Sequence, residues 1–159
     1  MNVIARKATS DEMDQIYMMG FDVWSDGSTQ AEYLAGCRAS LKYKSGTWYV
    51  LESSDQLVCS LITYNLGLNE IGIGSIATPI HFRKRGYAST LIKKVIDDLD
   101  VVLDMPTYFL YADISPKFYE RFGFAIVPSE LQKYKESSCM IRPRKNKYLF
   151  TGSTIPKYF

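Results

Sequence analysis

The stretch Ile71-Gly72-Ile73-Gly74-Ser75-Ile76-Ala77-Thr78-Pro79-Ile80-His81-Phe82-Arg83-Lys84-Arg85-Gly86-Tyr87-Ala88 changes character twice. Ile71 and Ile73 alternate with Gly72 and Gly74, which is the period of a strand, and Ile76 then falls on the opposite phase. A period of two that slips by one residue implies an inserted residue, a bulge at Gly74-Ser75. The plainer alternative is that the strand ends there. After the loop from Pro79 to Gly86, the residues Ala88, Leu91, Ile92, Val95, Ile96 and Leu99 repeat at helical spacing and mark one buried face. Lys93, Lys94, Asp97 and Asp98 take the other.

Working outward, Val3 to Lys7 reads as a first strand, and Thr9-Ser10-Asp11-Glu12 as a capping box opening a helix with Ile16, Met19 and Val23 on one face. Gly27-Ser28 breaks that helix, and Ala31 to Tyr43 reads as a second one ending near Gly46. Thr47 to Glu52 and Leu57 to Leu66 are strand-like runs joined by the polar Ser53-Ser54-Asp55-Gln56, a hairpin signal. Downstream, Thr107 to Tyr111 is strand-like. Ser115 caps a short helix with Pro116 at its first position, and Gly123 ends it. Phe124 to Val127 and Tyr148 to Thr151 read as further strands. Hairpins followed by β-α-β-α-β alternation give an α/β fold: a mixed sheet with helices on both faces. No repeat or linker interrupts the chain, so residues 1–159 are expected to form a single domain.

The composition is that of an ordinary globular protein: 159 residues, 47% hydrophobic, 23% charged and a net charge of +2. That excludes a disordered chain and argues against a nucleic-acid binder, which carries a strongly basic face. Cys37, Cys59 and Cys139 are odd in number and far apart, so no disulfide framework or thiolate zinc site is expected. Charge arrives too early after Met1 for a signal peptide, and no apolar run reaches the length of a membrane span. A cytoplasmic protein with no membrane partner is expected.

Arg83-Lys84-Arg85-Gly86-Tyr87-Ala88 opens the amphipathic helix. The first amides of a helix have no internal acceptor and the dipole is positive there. Gly86 permits a tight turn, Ala88 keeps bulk away, and three cations stand beside them. Such a cradle suits a pyrophosphate, although a solvated basic turn has the same letters. The P-loop and dinucleotide fingerprints are absent. His81 has no second histidine or nearby cysteine, so no metal is expected. No Gly-x-Ser-x-Gly elbow supports a serine triad.

Ile76-Ala77-Thr78 followed by Arg83-x-x-Gly86-x-Ala88 resembles the acyl-CoA motif of the GNAT superfamily of N-acetyltransferases. Phe118-Tyr119-Glu120-Arg121-Phe122-Gly123-Phe124 is similar to that family's second signature, Phe-Tyr-x-x-x-Gly-Phe. The two stand in the family's order, with a helix and a strand between them. The resemblance implies a mostly antiparallel sheet with a bulged central strand and an acetyl-CoA-dependent transfer to a primary amine of a small molecule or peptide, made directly in a ternary complex. It implies that the backbone of Ile76, Ala77 and Thr78 pairs with the pantetheine arm and that one of its N–H groups polarises the thioester carbonyl. The segment Arg83, Lys84, Arg85, Gly86, Tyr87, Ala88 and Ser89 would hold the pyrophosphate, and Tyr119 would donate to the leaving thiolate. A homodimer is compatible with this reading.

Two departures stand out. Many relatives have an asparagine about seven residues before the tyrosine, where this chain has Ala112 followed by Asp113. The base that takes the amine's proton is not singled out: Glu70, Asp22, His81, Asp113 and a water relay all remain. Phe21, Trp24, Tyr33 and Tyr43, beside Asp22, Asp26 and Glu32, form a candidate acceptor lip suited to a cationic amine, or are simply core. Two rivals are a catalytically inactive acyl-CoA sensor and a nucleic-acid-binding domain using the basic loop.

Overall fold

The computed structural model describes residues 2–144 and 155–159. Within them the strands are β1 (Val3–Lys7), β2 (Thr47–Ser53), β3 (Gln56–Gly67), β4 (Glu70–Ala77), β5 (Thr107–Ala112), β6 (Ala125–Ile126) and β7 (Ser138–Arg142). They form one sheet in the order β1-β2-β3-β4-β5-β7-β6. β1 with β2, β2 with β3, β5 with β7 and β6 with β7 pair antiparallel, while β4 and β5 pair parallel. The α-helices are α1 (Met13–Met18), α2 (Phe21–Trp24), α3 (Gln30–Ala39), α4 (Leu41–Ser45), α5 (Tyr87–Val102) and α6 (Lys117–Glu120). The fold is the mixed, mostly antiparallel α/β sheet expected from the sequence. No described helix is long and apolar enough to cross a membrane.

Two compact units share the chain. The first comprises Met1–Thr63 and Ser75–Val95. Its β2–β3 hairpin turns on Ser54 (φ +50°) and Asp55 (φ +62°), the two left-handed residues that a tight hairpin needs. Ile16, Met19, Val50, Leu57 and Ala77 form its core. Ahead of α1, the Glu12 carboxylate accepts from the Thr9 amide at 2.9 Å, as a capping box requires. The first helical face is shorter than expected: Val23 is 62% exposed, because α1 ends at Met18 and α2 starts a new direction at Phe21. The expected helix from Ala31 to Tyr43 is broken at Ser40. There ψ is 115° and the hydroxyl accepts from the Tyr43 amide at 3.2 Å to start α4. Serine competes with the backbone in this way wherever a helix is weakly held.

The second unit comprises Tyr64–Gly74 and Ile96–Phe159. Phe109, Tyr111, Val127, Cys139, Ile141 and Ile155 make its core. Gly72 gives the Phe159 ring its seat, since a Cβ there would stand 2.8 Å from the ring. The strand expected over Phe124 to Val127 shrinks to Ala125–Ile126, ahead of Pro128, which has no N–H to offer a ladder. β7 was not anticipated, and the strand expected over Tyr148 to Thr151 lies outside the described residues.

Along α5 the anticipated face is buried: Leu91 and Ile92 are fully covered, Val95 and Ile96 nearly so, and Lys93, Lys94, Asp97 and Asp98 are exposed. In β4 the pairs with β5 run from Glu70 to Ile73, and Ser75 then takes φ +46°, yet the strand continues to Ala77. The phase slip is therefore a bulge and not the end of the strand.

Candidate active site

Ile76 and Ala77 close β4, and Thr78 follows them. The Thr78 carbonyl accepts from Arg83 Nε at 2.8 Å, and its hydroxyl contacts Cys59 Sγ at 3.4 Å. The Arg83 guanidinium also makes a bidentate pair with Asp22 of α2, NH1 to Oδ2 at 2.8 Å and NH2 to Oδ1 at 2.9 Å. One side chain thus joins the strand end, the loop and the second helix. Its guanidinium is held by protein partners. The same pair holds the Asp22 carboxyl below the usual carboxylate range.

Beyond Arg83 the backbone is unusual. Lys84 has φ +63° and Gly86 φ +80°, a left-handed conformation that favours glycine and costs a lysine strain. Nothing lies within 4 Å of where a Cβ on Gly86 would stand, so this side of the turn is open to an approaching group. The first helical bond of α5 runs from the Thr90 amide to the Gly86 carbonyl at 3.0 Å. The amides of Tyr87 and Ala88 come ahead of it. Lys84 and Arg85 are exposed, Arg85 lying 5.8 Å from the centre of the Phe82 ring. Tyr87 is buried, edge-on to Phe82, and Ser89 is half-buried in the first turn of α5. An open, positive, glycine-hinged turn leading into a sixteen-residue helix has the chemistry to hold a diphosphate.

Tyr119 belongs to the second unit. It sits in α6, 7% exposed, with Phe118 edge-on at 5.1 Å. Burial, helped by Asp113, pushes its phenol up to about 12. The expected Ser115 side-chain cap is replaced by a backbone one: the Ser115 carbonyl accepts from Phe118 N at 3.1 Å, and Gly123 (φ +90°) ends the turn. Asp113 is occupied, accepting from Ser137 Oγ at 2.8 Å and from the Tyr158 hydroxyl at 3.3 Å. Among the other candidate bases, burial raises the Glu70 carboxyl, and His81 is exposed against the Phe82 ring. Sequence reasoning missed the Arg83–Asp22 clasp, whose partners lie 61 residues apart.

A family model described as the acetyltransferase (GNAT) domain matches residues 5–127. The chain belongs to the GNAT acetyltransferase family. The match spans the bulged strand, the Arg83–Gly86 turn and α6, and the enzyme class is that of an N-acetyltransferase. No curated protein sequence matches the chain. Among solved structures, it is similar to the PaiA N-acetyltransferase of Thermoplasma acidophilum, solved in complex with coenzyme A. The two are 11% identical over 89% of this chain and 99% of that one, with a TM-score of 0.66. An acetyltransferase from Corynebacterium glutamicum, described as histone acetyltransferase HPA2 and related, is 14% identical over 94% and 100% of the two chains, with a TM-score of 0.68. The N-acetylglutamate synthase of Neisseria gonorrhoeae, solved with coenzyme A and N-acetylglutamate, is 16% identical. There 92% of this GNAT chain covers 36% of that one, at a TM-score of 0.67. At such identities the likeness is one of fold.

Proposed function

We propose that the chain acts as one domain that transfers an acetyl group from acetyl-CoA to the primary amine of a small molecule or peptide, directly and in a ternary complex. The observation that carries this reading is the turn. Gly86 is open, the amides of Tyr87 and Ala88 precede the first helical bond, and Lys84 and Arg85 are exposed beside them, all next to the end of a bulged strand. The backbone of Ile76, Ala77 and Thr78 pairs with the pantetheine arm, where one N–H polarises the thioester carbonyl. The segment from Arg83 to Ser89 holds the pyrophosphate, with Arg83 acting through its clasp on Asp22 and Thr78. Two of the structures similar in fold were solved with coenzyme A, which supports the donor.

Tyr119 hydrogen-bonds the sulfur as the amine attacks and the C–S bond breaks. A phenol near 12 stays protonated at neutral pH. Complete transfer to a thiolate whose acid lies near 8.5 is uphill by roughly 5 kcal/mol. Its contribution is therefore stabilisation of developing charge: as the N–C bond forms, the proton the nitrogen loses passes to water, and the thiolate released by C–S cleavage takes a proton back from water. Tyr119→Phe is expected to lower kcat about tenfold to a hundredfold and leave the KM for acetyl-CoA unchanged. An unchanged kcat removes Tyr119 from the mechanism. The reading as a whole is tested by calorimetry with coenzyme A and by thiol release over a panel of amines. Binding without release makes the protein a sensor, and the absence of binding ends the proposal.

A further inference from the structure

Inside the first unit, α1, α3 and the β2–β3 hairpin enclose a cavity with room for about one water molecule. Five aromatic side chains wall it: Tyr17, Trp24, Tyr33, Tyr43 and Trp48. They brace one another, Tyr17 stacking on Tyr43 at 5.8 Å and Trp48 meeting Tyr43 edge-on at 5.2 Å. Trp24 packs against Gly20, where a Cβ would fall 2.1 Å from the indole, and is 38% exposed. Ser60, Ser75 and Ala77 complete the lining. Ser60 is wholly buried, and its hydroxyl has no hydrogen-bond partner among the described residues. A buried hydroxyl left unpaired is costly, and its place in the wall of a cavity gives a polar group from outside the chain a partner to meet.

Two properties define that group. It is small, because the space beyond the rings is that of one heavy atom. It also carries no negative charge, because no lysine, arginine or histidine among the described residues lines the cavity. Burial raises the Tyr17 and Tyr33 phenols, so those two rings stay neutral over any working pH. Electron-rich ring faces attract an ammonium on arrival. With no carboxylate in the lining to hold the charge, desolvation then favours the neutral amine, the form that attacks a thioester.

We propose that this cavity receives the amino group of the acceptor, that Ser60 Oγ accepts a hydrogen bond from it, and that the acceptor class is a primary amine with no carboxylate on its α-carbon. The assignment of the cavity to the acceptor rests on the function proposed above, since Ala77 belongs to the strand segment read there as pairing with the pantetheine arm and Ser75 precedes that segment in the same strand. Ser60 is a specificity residue. An α-carboxylate would enter among ring faces and hydroxyls with no cation to meet it.

The chain supplies its own probe, because Trp24 and Trp48 are its two tryptophans and both line the cavity. Tryptophan emission is followed while butylamine is added, and separately norvaline, which is the same skeleton carrying an α-carboxylate. Each titration is run with and without saturating coenzyme A. Butylamine is expected to give a saturable change, and norvaline to bind at least about tenfold more weakly. Ser60→Ala is expected to weaken butylamine about fivefold while leaving the melting temperature unchanged or higher, since it removes an unpaired buried hydroxyl. The proposal is overturned by no saturable change with butylamine in either condition, by equal binding of norvaline, or by a Ser60→Ala protein that binds butylamine as the parent does. Calorimetry with coenzyme A on the same samples keeps the two readings apart. Amine uptake without coenzyme uptake upholds the cavity and ends the transferase reading, and the converse does the opposite.

Discussion

Arg6 and Arg83 are both clasped by acidic side chains, and the difference between the two clasps separates what holds the first unit together from what shapes its site. Arg6 donates to two carboxylates, Glu12 at 2.6 Å and Glu52 at 2.9 Å, and so fixes the turn before α1 to β2. Two negative charges saturate it, and Glu12 is held down at about 2 by that contact and by the Thr9 amide. Arg83 has one carboxylate, Asp22, and the backbone carbonyl of Thr78. Its own charge is balanced, and the turn is left with the exposed charges of Lys84 and Arg85. The first arginine closes a local account of charge. The second sets the shape of a positive loop.

If that contrast is right, the two arginines fail differently when removed. Arg83→Leu should release the turn from the strand end and leave Asp22 as an unpaired carboxylate beside the turn proposed to hold the pyrophosphate. Coenzyme A affinity is expected to fall about thirtyfold, roughly 2 kcal/mol, with little change in melting temperature. Calorimetry beside a thermal melt reads both quantities, and an unchanged affinity would break the comparison. Arg6→Met should do the reverse, because Glu12 and Glu52 are then left facing each other without their shared cation. Partial exposure screens the repulsion, so a loss of about 1.5 kcal/mol is expected, or about 3–6 °C for a chain of this length, with coenzyme A affinity intact. A drop in affinity as large as that of Arg83→Leu would show that Arg6 also supports the turn.

A gentler substitution sharpens the role of Arg83. With Asp22→Asn the guanidinium keeps a hydrogen-bond partner but loses its counter-charge. If Arg83 acts by holding the turn, coenzyme A affinity drops a few-fold. If it leaves Asp22 to meet the phosphates itself, affinity rises by a similar factor, since the competing carboxylate is gone. The sign of the change decides between the two.

What the sequence disclosed and what it hid follow from the range of the forces involved. α5 was legible because its burial repeats every turn, and the Gly86 hinge because a glycine standing between a basic run, Arg83-Lys84-Arg85, and a helical pattern has a local signature. The bulge was legible because an inserted residue moves Ile76 out of phase, and φ +46° at Ser75 is its local cause. The break at Ser40 was hidden, since serine inside a helical pattern is neutral until the chain's direction makes it a cap. β7 was hidden because five residues with no turn signal read equally as loop. The Arg83–Asp22 clasp spans 61 residues and has no periodicity to betray it. Ser60 lies inside the buried run of β3, where a small hydroxyl passes for core. Local geometry was readable, and side chains that meet only through the fold were not.

The smallest expected effect concerns acid stability on the Arg6 side of the comparison. Glu12 has a folded pKa of about 2 against an ordinary 4.5. A depressed carboxyl contributes stability that is fully present above pH 4.5 and is lost as pH falls toward 2, because the unfolded chain takes up its proton first. Glu12→Gln keeps the side-chain acceptor that faces the Thr9 amide and removes only the charge. At neutral pH the cost should be about 0.5–1 kcal/mol, since the group is near the surface and screened. Denaturant melts repeated from pH 7 to pH 2.5 should then show a shallower fall in the variant, with the two proteins converging as the parent's Glu12 takes up its proton, first in the unfolded chain and then in the folded one. Parallel curves would mean that the Arg6 cluster is held by Glu52 alone, and the contrast with Arg83, one carboxylate in each clasp, would narrow accordingly.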